Sequence, residues 1–209
     1  TTGYVPDPAG AEAFASRLPH PTLTEAAPDV VRSEPREAHL WTALLQCSPK
    51  WRRGSQGSVG SCVGWGASLG VDLTAACDIV YRNQPEMWSG RTVEASPYGF
   101  SRVEARGQGS NRGGDGSTGF HAAKSIREFG ALHYGVDYGG TVIPEKDKQR
   151  RDREWGRDGV PDSLEPFAKL RRCSEVTLAT TFEEAAAAVS NGLPVVVCSG
   201  VGFSMTRDD

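Results

Sequence analysis

The sequence predicts an α+β fold, with helices through most of the chain and strands near its end. The strongest helical signal lies in residues 61–82. Apolar side chains recur there every three or four positions, as a buried helix face requires: Val63, Leu69, Leu73, Ala76 and Val80. Two apolar runs, 176–178 and 193–199, are typical of short buried strands. The 25 glycines and 13 prolines among 209 residues indicate a domain rich in loops.

Five shorter helices are predicted from similar patterns. Three of them cover residues 10–18, 37–46 and 97–105. The fourth covers residues 120–129 and ends at Gly130, because glycine readily takes the left-handed conformation that ends many helices. The fifth begins after Thr181, which forms a capping-box pattern with Glu184, and it ends at Gly192.

These elements predict four segments along the chain. Residues 1–40 are rich in proline, alanine and glutamate, and we expect an extension or arm with weak packing. Residues 41–143 form a helical lobe, and residues 144–173 form a strongly charged, solvated linker or insertion. Residues 174–209 begin a β lobe. That lobe is expected to be incomplete, because a lone strand leaves its hydrogen-bonding groups unpaired.

Charge and hydropathy argue against several classes of function. The net charge of −3 disfavours binding of nucleic acid through bulk electrostatics. No apolar run approaches the roughly 20 residues of a membrane-spanning helix, and the first residues do not resemble a signal peptide. The glycine-rich segment 107–119 lacks the lysine of a phosphate-binding loop, and the glycines of 64–70 do not match a dinucleotide fingerprint. No cofactor, membrane or nucleic-acid partner is therefore predicted.

The cysteines and histidines are too widely spaced for a metal site. No C-x-x-C pair occurs among the five cysteines, which are Cys47, Cys62, Cys77, Cys173 and Cys198. Most of these thiols are expected to be buried and reduced, in a protein located in the cytoplasm or in a particle such as a virion. The spacing leaves open whether any two of them form a disulfide.

One cysteine stands where a glycine-rich loop meets the start of the predicted long helix. Unpaired backbone N–H groups and the positive end of the helix dipole favour a thiolate at Cys62, which predicts a lowered thiol pKa. A thiolate is a good nucleophile for acyl transfer. The backbone N–H of Cys62 and the side-chain amide of Gln56, six residues earlier, are candidates for stabilising an oxyanion.

The segment 56–62, Gln-Gly-Ser-Val-Gly-Ser-Cys, resembles the start of the long helix in papain-like cysteine peptidases. Val59 and Val63 stand where the family motif has a cysteine and an aromatic residue. Residues 113–130 are similar to the family's glycine-rich substrate ridge and the helix after it. Residues 182–197 are similar to the helix, turn and strand that precede the catalytic histidine. The resemblance covers roughly residues 45–205.

This resemblance implies a papain-like fold, with a helical lobe and part of a β lobe. It implies Cys62 as the nucleophile and Gln56 as an oxyanion donor. It also implies a substrate-binding set, which is Gly114, Asp115, Gly116, Ser117 and Trp65.

The histidine base of that family lies about 130–150 residues after the cysteine, whereas the last histidine here is His133. Two interpretations stay open. Either the insertion moves the base beyond Asp209, so that this chain is a fragment, or the protein is a pseudopeptidase. His121 and His133 are expected to be surface or core residues. A nucleophile elbow over residues 60–64 is a further alternative, but no apolar strand precedes it.

The predicted function is a cysteine peptidase that hydrolyses peptide bonds of a peptide or protein substrate through the Cys62 thiolate. The alternative is a catalytically inactive structural or binding component of a larger assembly such as a virion. In that case the arm of residues 1–40 docks on neighbouring subunits.

Overall fold

A computed structural model of the chain describes residues 3–51, 54–108 and 114–199. Regular structure in these ranges is helical. The described residues form ten α-helices: α1 (Pro8–Ala15), α2 (Leu23–Ala26), α3 (Pro28–Arg32), α4 (Leu40–Cys47), α5 (Cys62–Tyr81), α6 (Ala95–Arg102), α7 (Gly119–Glu128), α8 (Lys148–Asp158), α9 (Glu165–Ala168) and α10 (Phe182–Ser190). A short 3₁₀ turn (Lys169–Arg171) follows α9.

The predicted α+β class, and with it the papain-like architecture with a β lobe, is wrong. Across the described ranges no strand forms, and β-type pairing is limited to isolated bridges. Residues 176–178 pair at a single position, where Leu178 bridges to Thr22. Residues 193–199 lie against a helix instead of a strand, because Val196 packs on two glycines of α5. An apolar run becomes a strand only where a second strand meets it, and none does so here.

The predicted helices are largely confirmed. Those expected at 10–18, 37–46, 97–105 and 120–129 are α1, α4, α6 and α7, and Gly130 ends α7 with a φ of +84°. The helix after Thr181 is α10, where the Thr181 hydroxyl accepts a hydrogen bond from the Glu184 N–H at 3.1 Å. Gly192, with a φ of +78°, follows its end.

The long helix α5 is the centre of the fold and packs against α4, α6 and α7. Its glycines permit close packing, as predicted. A Cβ on Gly64 would lie 2.5 Å from the Tyr98 Cβ of α6. Gly66 and Gly70 face the Val196 side chain less tightly, since a Cβ there would lie 3.3 and 2.9 Å from its methyl groups.

Helix α5 is long and apolar enough to span a membrane, by length and composition alone, with a mean hydropathy of 1.2. No other helix in the described ranges meets these two criteria. This helix is not a continuous apolar run, because Asp72 and Asp78 interrupt it. Core helices of folded domains satisfy both criteria as well, and α5 buries Asp72, whose carboxylate accepts the Thr92 N–H at 2.9 Å.

The extension of residues 1–40 packs more tightly than expected. Glu184 of α10 accepts hydrogen bonds from both the N–H and the hydroxyl of Thr24. Further along, the Arg36 N–H donates to the Ser190 hydroxyl at 3.1 Å. Much of this extension is therefore bound to α10 through polar contacts.

The charged segment 144–173 is not simply solvated, because its helix α8 has a buried face. Asp152 and Trp155 are buried on that face, and Trp155 belongs to a core cluster with Phe100 of α6. Arg151 is buried too, where it donates to the carbonyls of Pro144 and Lys146. These charged groups tolerate burial because each has hydrogen-bond partners.

Candidate functional site

Cys62 is the first residue of α5, as predicted, and it is half-buried. The residue before it, Ser61, does not cap the helix with its side chain. Its hydroxyl donates instead to Asp152 Oδ2 at 2.6 Å. The first N–H groups of α5 therefore have no side-chain cap at Ser61, and those of Cys62 and Val63 hydrogen-bond the Cys62 thiol instead.

The pKa of the Cys62 thiol is raised above its usual value, which is opposite to the predicted direction. Burial is the main cause. Backbone hydrogen bonds from Gly3, Val63 and Cys62 itself lower the pKa, but by less than burial raises it. The helix-start effect is thus present, and the covering of the thiol outweighs it.

An extended segment of residues 3–5 lies beside the thiol. The Val5 N–H donates to the Ser117 carbonyl at 2.9 Å, and the Ser117 N–H donates to the Gly3 carbonyl at 3.0 Å. Tyr4 between them bridges to Ser117 in a parallel sense and packs against the apolar cluster that contains Val63. This pattern is the addition of one strand to an exposed backbone edge.

Residues 3–5 lie in a channel between the loop that precedes Cys62 and the ridge predicted to bind substrate. The first residue of that ridge, Gly113, lies outside the described residues. Asp115 Oδ2 accepts the Gly60 N–H at 3.1 Å, which ties the ridge to the loop before Cys62. Gly116 has a φ of +107°, and a Cβ there would lie 2.9 Å from the Gly3 carbonyl oxygen. Glycine alone meets both conditions.

We call this channel the Cys62 groove and define it by Gly60, Cys62, Asp115, Gly116 and Ser117. Of the predicted substrate-binding residues, the structure thus places Asp115, Gly116 and Ser117 against Gly60 or residues 3–5, which adjoin Cys62. Gly114 precedes them on the same ridge and is exposed, with a φ of +73° and open space around it.

The other two predicted residues lie apart from the groove contacts. Gln56 is half-buried in the loop before α5, and none of the hydrogen bonds among the described residues involves its side chain. Trp65 is held on α8, because its Nε1 donates to Asp152 Oδ2 at 3.1 Å. The Lys148 ammonium lies 5.7 Å from the Trp65 ring centroid.

All four histidines lie in the described residues, and each has a partner other than Cys62. His20 pairs with Glu175 and His39 with Glu37. The other two are bonded to hydroxyl groups, His121 to Thr118 at 2.7 Å and His133 to Ser89 at 2.5 Å. Burial, with nearby cations, lowers the pKa of both His121 and His133 to about 4.

All five cysteines are free thiols. Cys198 is half-buried near Gly119 at the start of α7, and both burial and the neighbouring Cys62 raise the pKa of its thiol. Within the part of the chain that the structure describes, no group of three acidic, histidine or cysteine side chains is placed to hold a metal ion.

Sequence reasoning missed two contributors to this site, Gly3 and Asp152. Gly3 belongs to an extension expected to pack weakly, and Asp152 belongs to a mixed-charge run of a kind that is common on solvated surfaces. Both reach Cys62 or its neighbours across long stretches of chain, so no local pattern could identify them.

Comparisons with protein-family models, with curated proteins and with solved structures find no match to this chain.

Proposed function

We propose that this chain is a cysteine-dependent peptidase that binds an extended peptide in the Cys62 groove and attacks it with the Cys62 thiolate. The observation that carries the proposal is the extended segment 3–5, which lies against the thiol. Its backbone forms two hydrogen bonds with the backbone of Ser117, one at Gly3 and one at Val5. A substrate peptide has the same backbone groups and would make the same two hydrogen bonds.

The reaction proposed for the groove is acyl transfer from the peptide to Cys62. A base takes the thiol proton, and the thiolate sulfur forms a bond to the peptide carbonyl carbon. The carbonyl oxygen becomes an oxyanion, for which the N–H groups of Cys62 and Val63 at the start of α5 are suitable donors. The C–N bond then breaks, the amine leaves with a proton, and water hydrolyses the thioester. No described residue is assigned as the base.

The segment 3–5 bears on reactivity as well as on binding. It covers Cys62, and burial is what raises the pKa of this thiol. A peptide substrate occupies the groove only after this segment has left it. The thiol then loses the Gly3 hydrogen bond and part of its cover but keeps the N–H groups of α5. Because burial is the largest effect on its pKa, the loss of cover favours the thiolate.

A second candidate function is a peptide-binding component without turnover, as in a structural assembly. Two observations favour it. The pKa of Cys62 is raised, and each of the four histidines has a partner elsewhere. The same groove serves this function, because binding needs the backbone of Ser117 but no activated thiol.

The two functions are separated by peptidyl electrophiles, such as a set of peptidyl vinyl sulfones, together with fluorogenic peptides. Mass spectrometry gives the rate at which each cysteine is modified, in the full chain and in a variant lacking residues 1–5. Cys77, buried on the same helix, is the internal reference, and Cys77→Ala is the matched control for Cys62→Ala.

Modification of Cys62 well ahead of Cys77 and Cys198, with peptide cleavage that Cys62→Ala abolishes and Cys77→Ala retains, is the expected result. Equal labelling of Cys62 and Cys77 would refute Cys62 as an activated nucleophile. Peptide binding measured by fluorescence anisotropy, without labelling or cleavage, would establish the second candidate.

A further inference from the structure

The carboxylate of Asp152 hydrogen-bonds to two residues at the start of α5. Asp152 Oδ2 accepts both the Ser61 hydroxyl, at 2.6 Å, and the Trp65 Nε1–H, at 3.1 Å. These two residues flank Cys62 along the chain. Asp152 is 1% exposed, so both bonds form away from competing water.

The helix that carries this carboxylate is itself fixed. Lys148 in its first turn donates to Glu145 at 3.0 Å and lies 3.5 Å from the buried carboxylate of Glu94. Arg151 donates to two backbone carbonyls of the preceding loop, and Trp155 is packed in the core beside Phe100. These contacts on both sides of Asp152 leave α8 little freedom to shift.

The same helix supports the ridge across the groove. Gly156 lies so close to the Tyr98 ring that a Cβ at this position would overlap it. The Tyr98 hydroxyl in turn accepts the Gly116 N–H at 3.1 Å. Helix α8 thus touches the supports of both groove walls, α5 through Asp152 and the ridge through Tyr98.

We infer that Asp152 is a positioning residue, which fixes Cys62 relative to the ridge by holding Ser61 and Trp65. This inference rests on the proposed function, because it concerns the alignment of a bound peptide with the Cys62 thiol. It assigns to α8 the role of setting the distance between nucleophile and peptide backbone. Small errors in such a distance slow acyl transfer strongly.

The test compares two reagents on the full chain. A peptidyl vinyl sulfone must align in the groove to reach Cys62, whereas iodoacetamide needs no alignment. Rates of Cys62 modification are measured by mass spectrometry in the wild type, Asp152→Ala, Asp152→Asn and Ser61→Ala. Asp158→Asn is the matched control, since this acid lies exposed on the same helix.

In Asp152→Ala we expect the peptidyl reagent to react about tenfold or more slowly, while iodoacetamide stays within about twofold of the wild type. Asp152→Asn retains an acceptor oxygen and should recover most of the peptidyl rate. Asp158→Asn should match the wild type. If circular dichroism shows that Asp152→Ala is unfolded, the test relies on Ser61→Ala. In that variant we expect a smaller decrease in the rate of Cys62 modification by the peptidyl reagent.

The inference is overturned if the rates of Cys62 modification by the two reagents fall by the same factor, or if neither rate changes, in Asp152→Ala or, where that variant is unfolded, in Ser61→Ala. If the peptidyl reagent modifies Cys62 preferentially neither in the full chain nor in the variant lacking residues 1–5, the proposed function and this inference are overturned together. A reactive wild type with unaffected Asp152 and Ser61 variants overturns the inference alone.

Discussion

Replacing Glu184 by glutamine is expected to lower the free energy of unfolding by about 3 kcal/mol at pH 7. This carboxylate accepts four hydrogen bonds. Its Oε1 accepts the N–H and hydroxyl of Thr24, at 3.0 and 2.5 Å, and its Oε2 accepts those of Thr180, at 2.6 and 2.8 Å. It is buried and joins the N-terminal extension to the start of α10.

The magnitude follows from the pKa of this carboxyl. Burial opposes its ionisation, but the hydrogen bonds from Thr24 and Thr180 outweigh burial and lower the pKa of Glu184 from 4.5 to about 2. Each unit of pKa corresponds to 1.36 kcal/mol, which gives about 3 kcal/mol in favour of the folded, ionised form. Glutamine has the same shape, but its side-chain NH₂ group is a donor and would face the N–H and hydroxyl donors of either Thr24 or Thr180. One of these two pairs of hydrogen bonds would therefore be lost.

The sign of the pH dependence is fixed by a folded-state pKa below the unfolded one. The stabilisation is fully present above about pH 4.5 and is lost as the pH falls toward 2. At pH 3 the contribution of Glu184 is reduced to about 1 kcal/mol. The difference in stability between the wild type and Glu184→Gln should narrow accordingly.

Urea unfolding followed by far-ultraviolet circular dichroism at pH 7 and pH 3 measures both effects. Glu183→Gln is the matched control, because Glu183 carries the same charge in the same helical turn but is exposed. We expect it to change stability by less than about 0.5 kcal/mol. Equal losses in the two variants, or a difference that does not narrow at pH 3, would refute the reasoning.

Four further perturbations test the core and the groove. Gly64→Ala should destabilise the fold by about 2–3 kcal/mol, because its methyl group would overlap α6. Gly66→Ala, which meets only a side-chain tip at 3.3 Å, should be neutral or gain up to about 1 kcal/mol of helix propensity. Thermal unfolding checks both, and equal effects would contradict the packing argument. Burial raises the pKa of Asp72 to about 6, so Asp72→Asn should gain up to about 3 kcal/mol at pH 7 and nothing below about pH 4, as measured by urea unfolding. Removing residues 1–5 takes away part of the cover of Cys62 and also the Gly3 hydrogen bond that lowers its pKa. Because burial is the largest effect on this thiol, we expect the pKa of Cys62 to fall, measured as the pH dependence of its alkylation, and an unchanged or higher pKa would refute the covering role of that segment.

The site was predicted in part because two of its elements are local in sequence. A cysteine after a glycine-rich loop and before a periodic apolar run marks the start of a helix, and Cys62 begins α5. The family resemblance pointed to the ridge, and Asp115, Gly116 and Ser117 do lie with Cys62. The role of Gln56 as an oxyanion donor stays a prediction, since no hydrogen bond among the described residues involves its side chain.

The direction of the Cys62 pKa was not accessible from sequence. A helix start lowers a thiol pKa through groups within a few residues, and those groups are present. The opposing effect is burial of the thiol by the folded chain, which also outweighs a further pKa-lowering hydrogen bond from the distant Gly3. Only the folded chain decides which of the two is larger.

The sequence by itself determined where most helices lie and where several end, because periodicity, caps and helix-ending glycines act over a few neighbouring residues. The tertiary structure decided what the apolar run 193–199 packs against, because Val196 in this run lies against two glycines of α5 and not against another strand. It also decided that Asp152 of a charged helix supports Ser61, and that residues 3–5 lie along Ser117. These contacts join residues about 90 or more positions apart, and their partners are chosen by burial and hydrogen bonding in the folded chain.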